Sequence, residues 1–166
     1  MEKSSNTHAT ALTADDPRLQ RFSLFAGLSS GELSALLQLT DIEECAAGER
    51  IVRIGDPGLC LYVLIEGSAR VSVGPDGAEI ELARIESGDF FGEVALVDDG
   101  PRSANVTAVT PCTLLRITRM TIGVLGGLQP GAAIQILGAI GRSLVARLRA
   151  SNQKYLDVLL RCEDPA

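Results

Sequence analysis

The chain has 166 residues, 46% of them apolar and 22% charged, and 21 acidic against 15 basic side chains leave a formal net charge of −6. That length buries a hydrophobic core without disulfides or metals, and the acidic balance argues against a nucleic-acid footprint, since duplex binding draws on cationic phosphate contacts. The cysteines (Cys45, Cys60, Cys112, Cys162) form no C-x-x-C pair and the single histidine is His8, so no zinc set is visible and the thiols are expected to be reduced and structural.

Residues 1–16 are polar and lack an apolar period. They read as a disordered tail, and with no apolar h-region they do not read as a signal peptide. Leu19, Phe22, Leu24 and Phe25 then form an apolar cluster, and Ser29 or Ser30 is placed to cap a helix over residues 32–39 with Leu33, Leu36 and Leu37 on one face. From residue 40 to 118 short runs rich in Val, Ile and Leu alternate with turn signals. Strands are expected at 42–46, 50–54, 60–65, 69–73, 79–85, 104–109 and 113–117. The 17 Gly and 7 Pro agree with frequent turns, and the regular spacing points to a mainly β fold, a jelly-roll β-barrel with flanking helices, over residues 17–128.

The remainder reads as helix: a short one at 118–128, then a long one from Pro130 to about residue 160, followed by a tail at 161–166. Residues 120–141 carry no charge, long enough for a membrane span, but Gln129-Pro130-Gly131 cuts the run, so two helices joined by a turn are expected. Ile134, Leu137, Gly141, Leu144, Leu148, Ser151, Tyr155 and Val158 alternate steps of three and four, a coiled-coil seam expected to pair two copies of the chain in parallel. Arg142, Arg147, Arg149 and Lys154 read as the solvated face of this helix, and Arg50, Arg53 and Arg70 as outward strand residues with no special role.

One run interrupts the strand pattern: Phe90-Phe91-Gly92-Glu93-Val94-Ala95-Leu96-Val97, then Asp98-Asp99-Gly100-Pro101, then Arg102-Ser103-Ala104 at the start of the next strand. A short helical turn beginning at Gly92 presents unpaired N–H groups, and glycine permits close approach to the backbone. Arg102 offers a planar fork for two phosphate oxygens. Glu93 repels phosphate but accepts hydrogen bonds from a hydroxyl of the same ligand. A phosphate together with a ribose hydroxyl reads as a nucleotide.

The segments Phe91-Gly92-Glu93-Val94-Ala95-Leu96 and Pro101-Arg102-Ser103-Ala104 resemble the phosphate-binding cassette of cyclic nucleotide-binding domains, as found in the catabolite activator protein family and the protein kinase A regulatory subunit. The resemblance runs over about residues 19–150 and includes Leu24-Phe25-Ala26-Gly27-Leu28-Ser29, Gly48-Glu49-Arg50-Ile51 and Leu61-Tyr62-Val63-Leu64-Ile65-Glu66-Gly67. It implies that Glu93 binds the ribose 2′-hydroxyl and Arg102 the cyclic phosphate, with Phe91, Gly92, Val94, Ala95, Ser103 and Ala104 completing the ligand-binding set. It implies a cytoplasmic sensor for cAMP, with cGMP an alternative because Ser103 does not exclude guanine. A hinge at 126–131 would let the long helix close over the base, with Arg142 or Leu144 touching it. A protein effector is expected but not identified. No catalytic residue, metal or cofactor is expected, and with the sequence stopping at Ala166 no helix-turn-helix DNA-binding domain. The competing reading is a fold with a vestigial nucleotide site that serves as an interaction module.

Overall fold

The computed structural model describes residues 12–162. The elements in chain order are α1 (Pro17–Arg21), α2 (Ser30–Gln38), β1 (Asp41–Cys45), β2 (Arg50–Val52), β3 (Cys60–Glu66), β4 (Ser68–Val73), β5 (Ile80–Glu86), β6 (Phe90–Phe91), a 3-10 turn (Glu93–Leu96), β7 (Asn105–Ala108), β8 (Cys112–Thr118), α3 (Arg119–Leu128) and α4 (Pro130–Cys162). The strands form two antiparallel four-stranded sheets, ordered β1-β8-β3-β6 and β2-β7-β4-β5. The jelly-roll expectation therefore holds, with one strand, β6, that was not foreseen.

Three layers follow from strand alternation, because successive side chains point to opposite faces. In β3, Leu61, Val63 and Ile65 join a core shared with the helices, whereas Cys60, Tyr62 and Leu64 join a second core between the sheets. In β8, Leu115 and Ile117 take the helical side and Cys112 and Leu114 the inter-sheet side. Both faces of these strands are covered, which is why residues 60–65 are a continuous apolar run. The adjacent Phe90 and Phe91 divide the same way, Phe91 stacking on Tyr62 at 5.5 Å.

The helices pack on the β1-β8-β3-β6 sheet. Part of the expected N-terminal tail is built into this layer: Leu12 and Ala14 pack on the core and Asp16 caps α1, while residues 1–11 lie outside the described residues, as do 163–166. Ser29 is the α2 cap: its hydroxyl accepts from the Glu32 N–H at 3.2 Å, and the Glu32 carboxylate accepts from the Ser29 N–H at 2.8 Å. Ser29→Ala is expected to cost about 1 kcal/mol, read as a lower urea midpoint. A loss no larger than that of Ser30→Ala would show that the cap carries no stability.

The uncharged run 120–141 bends between α3 and α4 as expected. The α4 helix is long and apolar enough to cross a membrane by composition alone, but Ala132, Ala133, Ile136, Ala139 and Ile140 are buried against the domain. The arginines of the second sheet correct the sequence reading. Arg50 donates to Glu79 at 2.5 Å, Arg70 lies 3.8 Å from it, and the Ser72 hydroxyl donates to it at 2.6 Å. Ser72 first and Arg50 second hold the Glu79 carboxyl below the usual carboxylate range. These contacts fasten the β4–β5 hairpin to β2.

Candidate functional site

The interrupting run forms one wall of a cavity of about 190 Å³. All the site residues expected from sequence (Phe91, Gly92, Glu93, Val94, Ala95, Arg102, Ser103 and Ala104) line it. Val52, Val71 and Val106 form its apolar wall and belong to the inter-sheet face of the second sheet. The space is therefore apolar on one side with a few convergent polar groups on the other, the usual composition of a small-molecule site.

Gly92 is required twice over. It takes φ +77, and a Cβ there would fall 2.5 Å from Arg102 Nη1 and 3.1 Å from the Cys60 carbonyl oxygen. The guanidinium fits against the backbone only because that side chain is missing. Arg102 donates from Nη2 to the Cys60 carbonyl at 2.8 Å and from Nη1 to the Gly92 carbonyl at 3.4 Å. Among the described residues no carboxylate lies within ion-pair distance of it. Its cation is thus held by neutral acceptors beside the cavity. The backbone of Arg102 is pinned in turn: its N–H donates to the Asp56 carbonyl at 2.8 Å and its carbonyl accepts from the Gly55 N–H at 2.9 Å.

Glu93 is only 3% exposed and forms an ion pair with Arg147 of α4. Arg147 also donates to the Phe90 carbonyl at 2.9 Å and stands over the Phe90 ring, 5.9 Å from its centroid. A buried carboxylate without a partner is expensive, so this pair fastens α4 to the cassette. Arg147 itself lines the cavity. Arg142 and Leu144, the helix residues offered for contact with the base, do not line the cavity in this structure. Arg147 keeps 54% of its side chain exposed, in line with the solvated face read from sequence, yet its guanidinium also reaches Glu93. Ile136, Ile140 and Leu144 run at steps of four on the packed side, and Arg147 lies at the edge of that stripe.

A second arginine links the cassette to the helices. Arg119, first residue of α3, donates from Nε to the Ala95 carbonyl at 3.1 Å and pairs with Asp99 at 2.6 Å. Asp99 lies on the loop that follows the 3-10 turn. On its inner side α3 is held to α2, since the Thr121 hydroxyl donates to the Leu39 carbonyl at 3.2 Å.

Comparison with known proteins gives a consistent answer. The family profile described as cyclic nucleotide-binding domain matches residues 42–125. A CRP-like cAMP-activated global transcriptional regulator of Mycobacterium tuberculosis is 28% identical over 145 residues, 87% of this chain and 63% of that protein. The Thermus thermophilus catabolite activator protein superposes with a TM-score of 0.71 at 31% identity, covering 82% of this chain and 62% of that one. The regulatory domain of Toxoplasma gondii PKA, solved with cAMP, superposes with a TM-score of 0.57 at 32% identity, covering 65% of this chain and 41% of that one. The chain spans less than two thirds of the length of the curated relatives it matches.

Proposed function

The chain belongs to the cyclic nucleotide-binding domain family, and on that footing we propose that it is a non-enzymatic, cytoplasmic sensor of a cyclic nucleotide, cAMP in the first place. The observation that carries the reading is the convergence of Arg102, Glu93 and Arg147 on one small cavity. In this reading the cyclic phosphate takes up the Arg102 donors now given to two carbonyls. The ribose hydroxyl donates to Glu93 and shares it with Arg147.

A signal then has two routes to the helices. Glu93 acts on α4 through Arg147, and the turn after Gly92 acts on α3 through Arg119. Charge-assisted hydrogen bonds contribute on the order of 1.5–3 kcal/mol each. Two of them bias a two-state joint whose gap is a few kcal/mol. The joint is the α3–α4 corner at Gln129.

The same helix supports pairing with a second copy. Beyond Arg147, α4 runs about 15 residues with every side chain exposed, among them Leu148, Tyr155, Leu156, Val158, Leu159 and Leu160. An isolated helix of that length is marginal in water, and the three-and-four spacing of its apolar residues suits a parallel coiled coil.

Thermal melting with cAMP, cGMP and 5′-AMP tests the ligand reading. A cyclic nucleotide at a hundred times its dissociation constant adds about 2.7 kcal/mol of stability. For a domain of this size that is a rise of roughly 5–10 °C. Absence of any rise with millimolar cyclic mononucleotide would overturn the sensor reading in favour of a bare interaction scaffold.

A further inference from the structure

We propose that Cys45 and Cys112 form a reversible redox pair, closing to a disulfide across β1 and β8 when the protein meets a peroxide. The two residues are register partners at the end of the antiparallel β1–β8 ladder. Directly opposed residues in such a ladder have Cα atoms about 4.5–5.5 Å apart, within the range that a disulfide spans. Their side chains leave the sheet on the same face, because opposed positions share a face. Cys112 is part of the inter-sheet core and Cys45 packs against that core. Both are thiols in this structure.

Access is built in. Both cysteines line a surface cavity of about 410 Å³ with Glu44, Ala46, Glu66, Pro111 and Thr113. Cys112 is 3% exposed, whereas Cys45 is half-buried. Burial pushes the Cys112 thiol up, so oxidation starts at the more open Cys45. The Cys45 thiolate attacks a peroxide oxygen and the O–O bond breaks, giving a sulfenic acid and water once the thiol proton is transferred. The Cys112 sulfur then attacks the Cys45 sulfur, the S–O bond breaks, and a second water leaves with the Cys112 proton. In sum, two thiols and one hydrogen peroxide give one disulfide and two waters. Glu44 on the cavity wall disfavours anionic oxidants, Glu66 being paired with Arg18, and a neutral peroxide is the fitting reagent. Cys60, on β3 against Thr118, and Cys162, at the far end of α4, are placed by the fold away from this pair.

The test is peptide mapping by mass spectrometry of the full chain after hydrogen peroxide treatment, without reduction. The expected product has lost two hydrogens, carries one linked pair of peptides containing Cys45 and Cys112, remains the same size on gel filtration, and reverts with dithiothreitol. Cys45→Ser should abolish the linked peptide and Cys60→Ser should leave it unchanged. Should Cys112→Ser fold poorly, alkylation of the native protein gives a second reading: iodoacetamide should label Cys45 before peroxide and not after. A linkage through Cys60 or Cys162, a disulfide only between chains, or Cys45 still open to iodoacetamide after treatment would each overturn the proposal.

Discussion

Arg102→Ala is expected to weaken cAMP binding by about two orders of magnitude in a calorimetric titration. Among the described residues the guanidinium is the one cation on the cavity wall that no carboxylate neutralises, so a bound phosphate gains its full charge-assisted pair. Two such hydrogen bonds contribute on the order of 3–6 kcal/mol net, and about 2.7 kcal/mol is enough for a hundredfold change. Arg102→Lys should recover only part of the loss, because an ammonium group cannot present the planar fork. The free protein should melt close to the wild type. Arg102 side-chain donors reach the Cys60 and Gly92 carbonyls and, more weakly, the Cys60 Sγ at 3.6 Å, and the residue's backbone bonds to residues 55 and 56 survive the substitution. Unchanged cAMP affinity in Arg102→Ala would remove the phosphate role and with it the carrying observation of the sensor reading.

The parts of this molecule that sequence revealed are those encoded by local period. The strand Cys60–Glu66 is a run of apolar residues ended by Glu66-Gly67, and it needed only its own letters to be recognised. The cassette was legible because Gly92, Glu93 and Arg102 lie within one short stretch and their chemistry is complementary. What stayed hidden depends on how distant elements meet. The two residues of β6 have no period, and they become a strand only through pairing with Tyr62 and Val63. Arg147 and Glu93 are separated by more than fifty positions, and nothing local fixes the rotation of α4 against the cassette. A charged residue on a helix reads as solvated unless that rotation is known. The Cys45–Cys112 pairing likewise requires that the first strand lie beside the last, which is a property of the jelly-roll topology and not of either strand.

The largest effect on stability is expected at Gly67, the corner where β3 turns into β4. This residue has φ +96, and a Cβ built on it would sit 2.3 Å from the Pro111 carbonyl oxygen, 2.9 Å from Cys112 Sγ and 3.1 Å from Cys112 Cα. Two of those neighbours are backbone at the start of β8, which is paired on both edges, with β1 and β3, and cannot step aside alone. Gly67→Ala therefore combines backbone strain of roughly 1–3 kcal/mol with overpacking of roughly 1–3 kcal/mol. A total of about 4 kcal/mol is a large share of the 5–15 kcal/mol that holds a typical domain, and it lowers the melting temperature by roughly 8–16 °C. Gly77 supplies the internal control. It has a similar left-handed φ of +84 but nothing within 4 Å of a built Cβ, so Gly77→Ala bears the backbone cost alone. Calorimetry should place Gly67→Ala well below Gly77→Ala. If the two variants melt together, the close approach of β8 to this corner is not a constraint on the fold, and the tight junction between the two sheets must be held elsewhere.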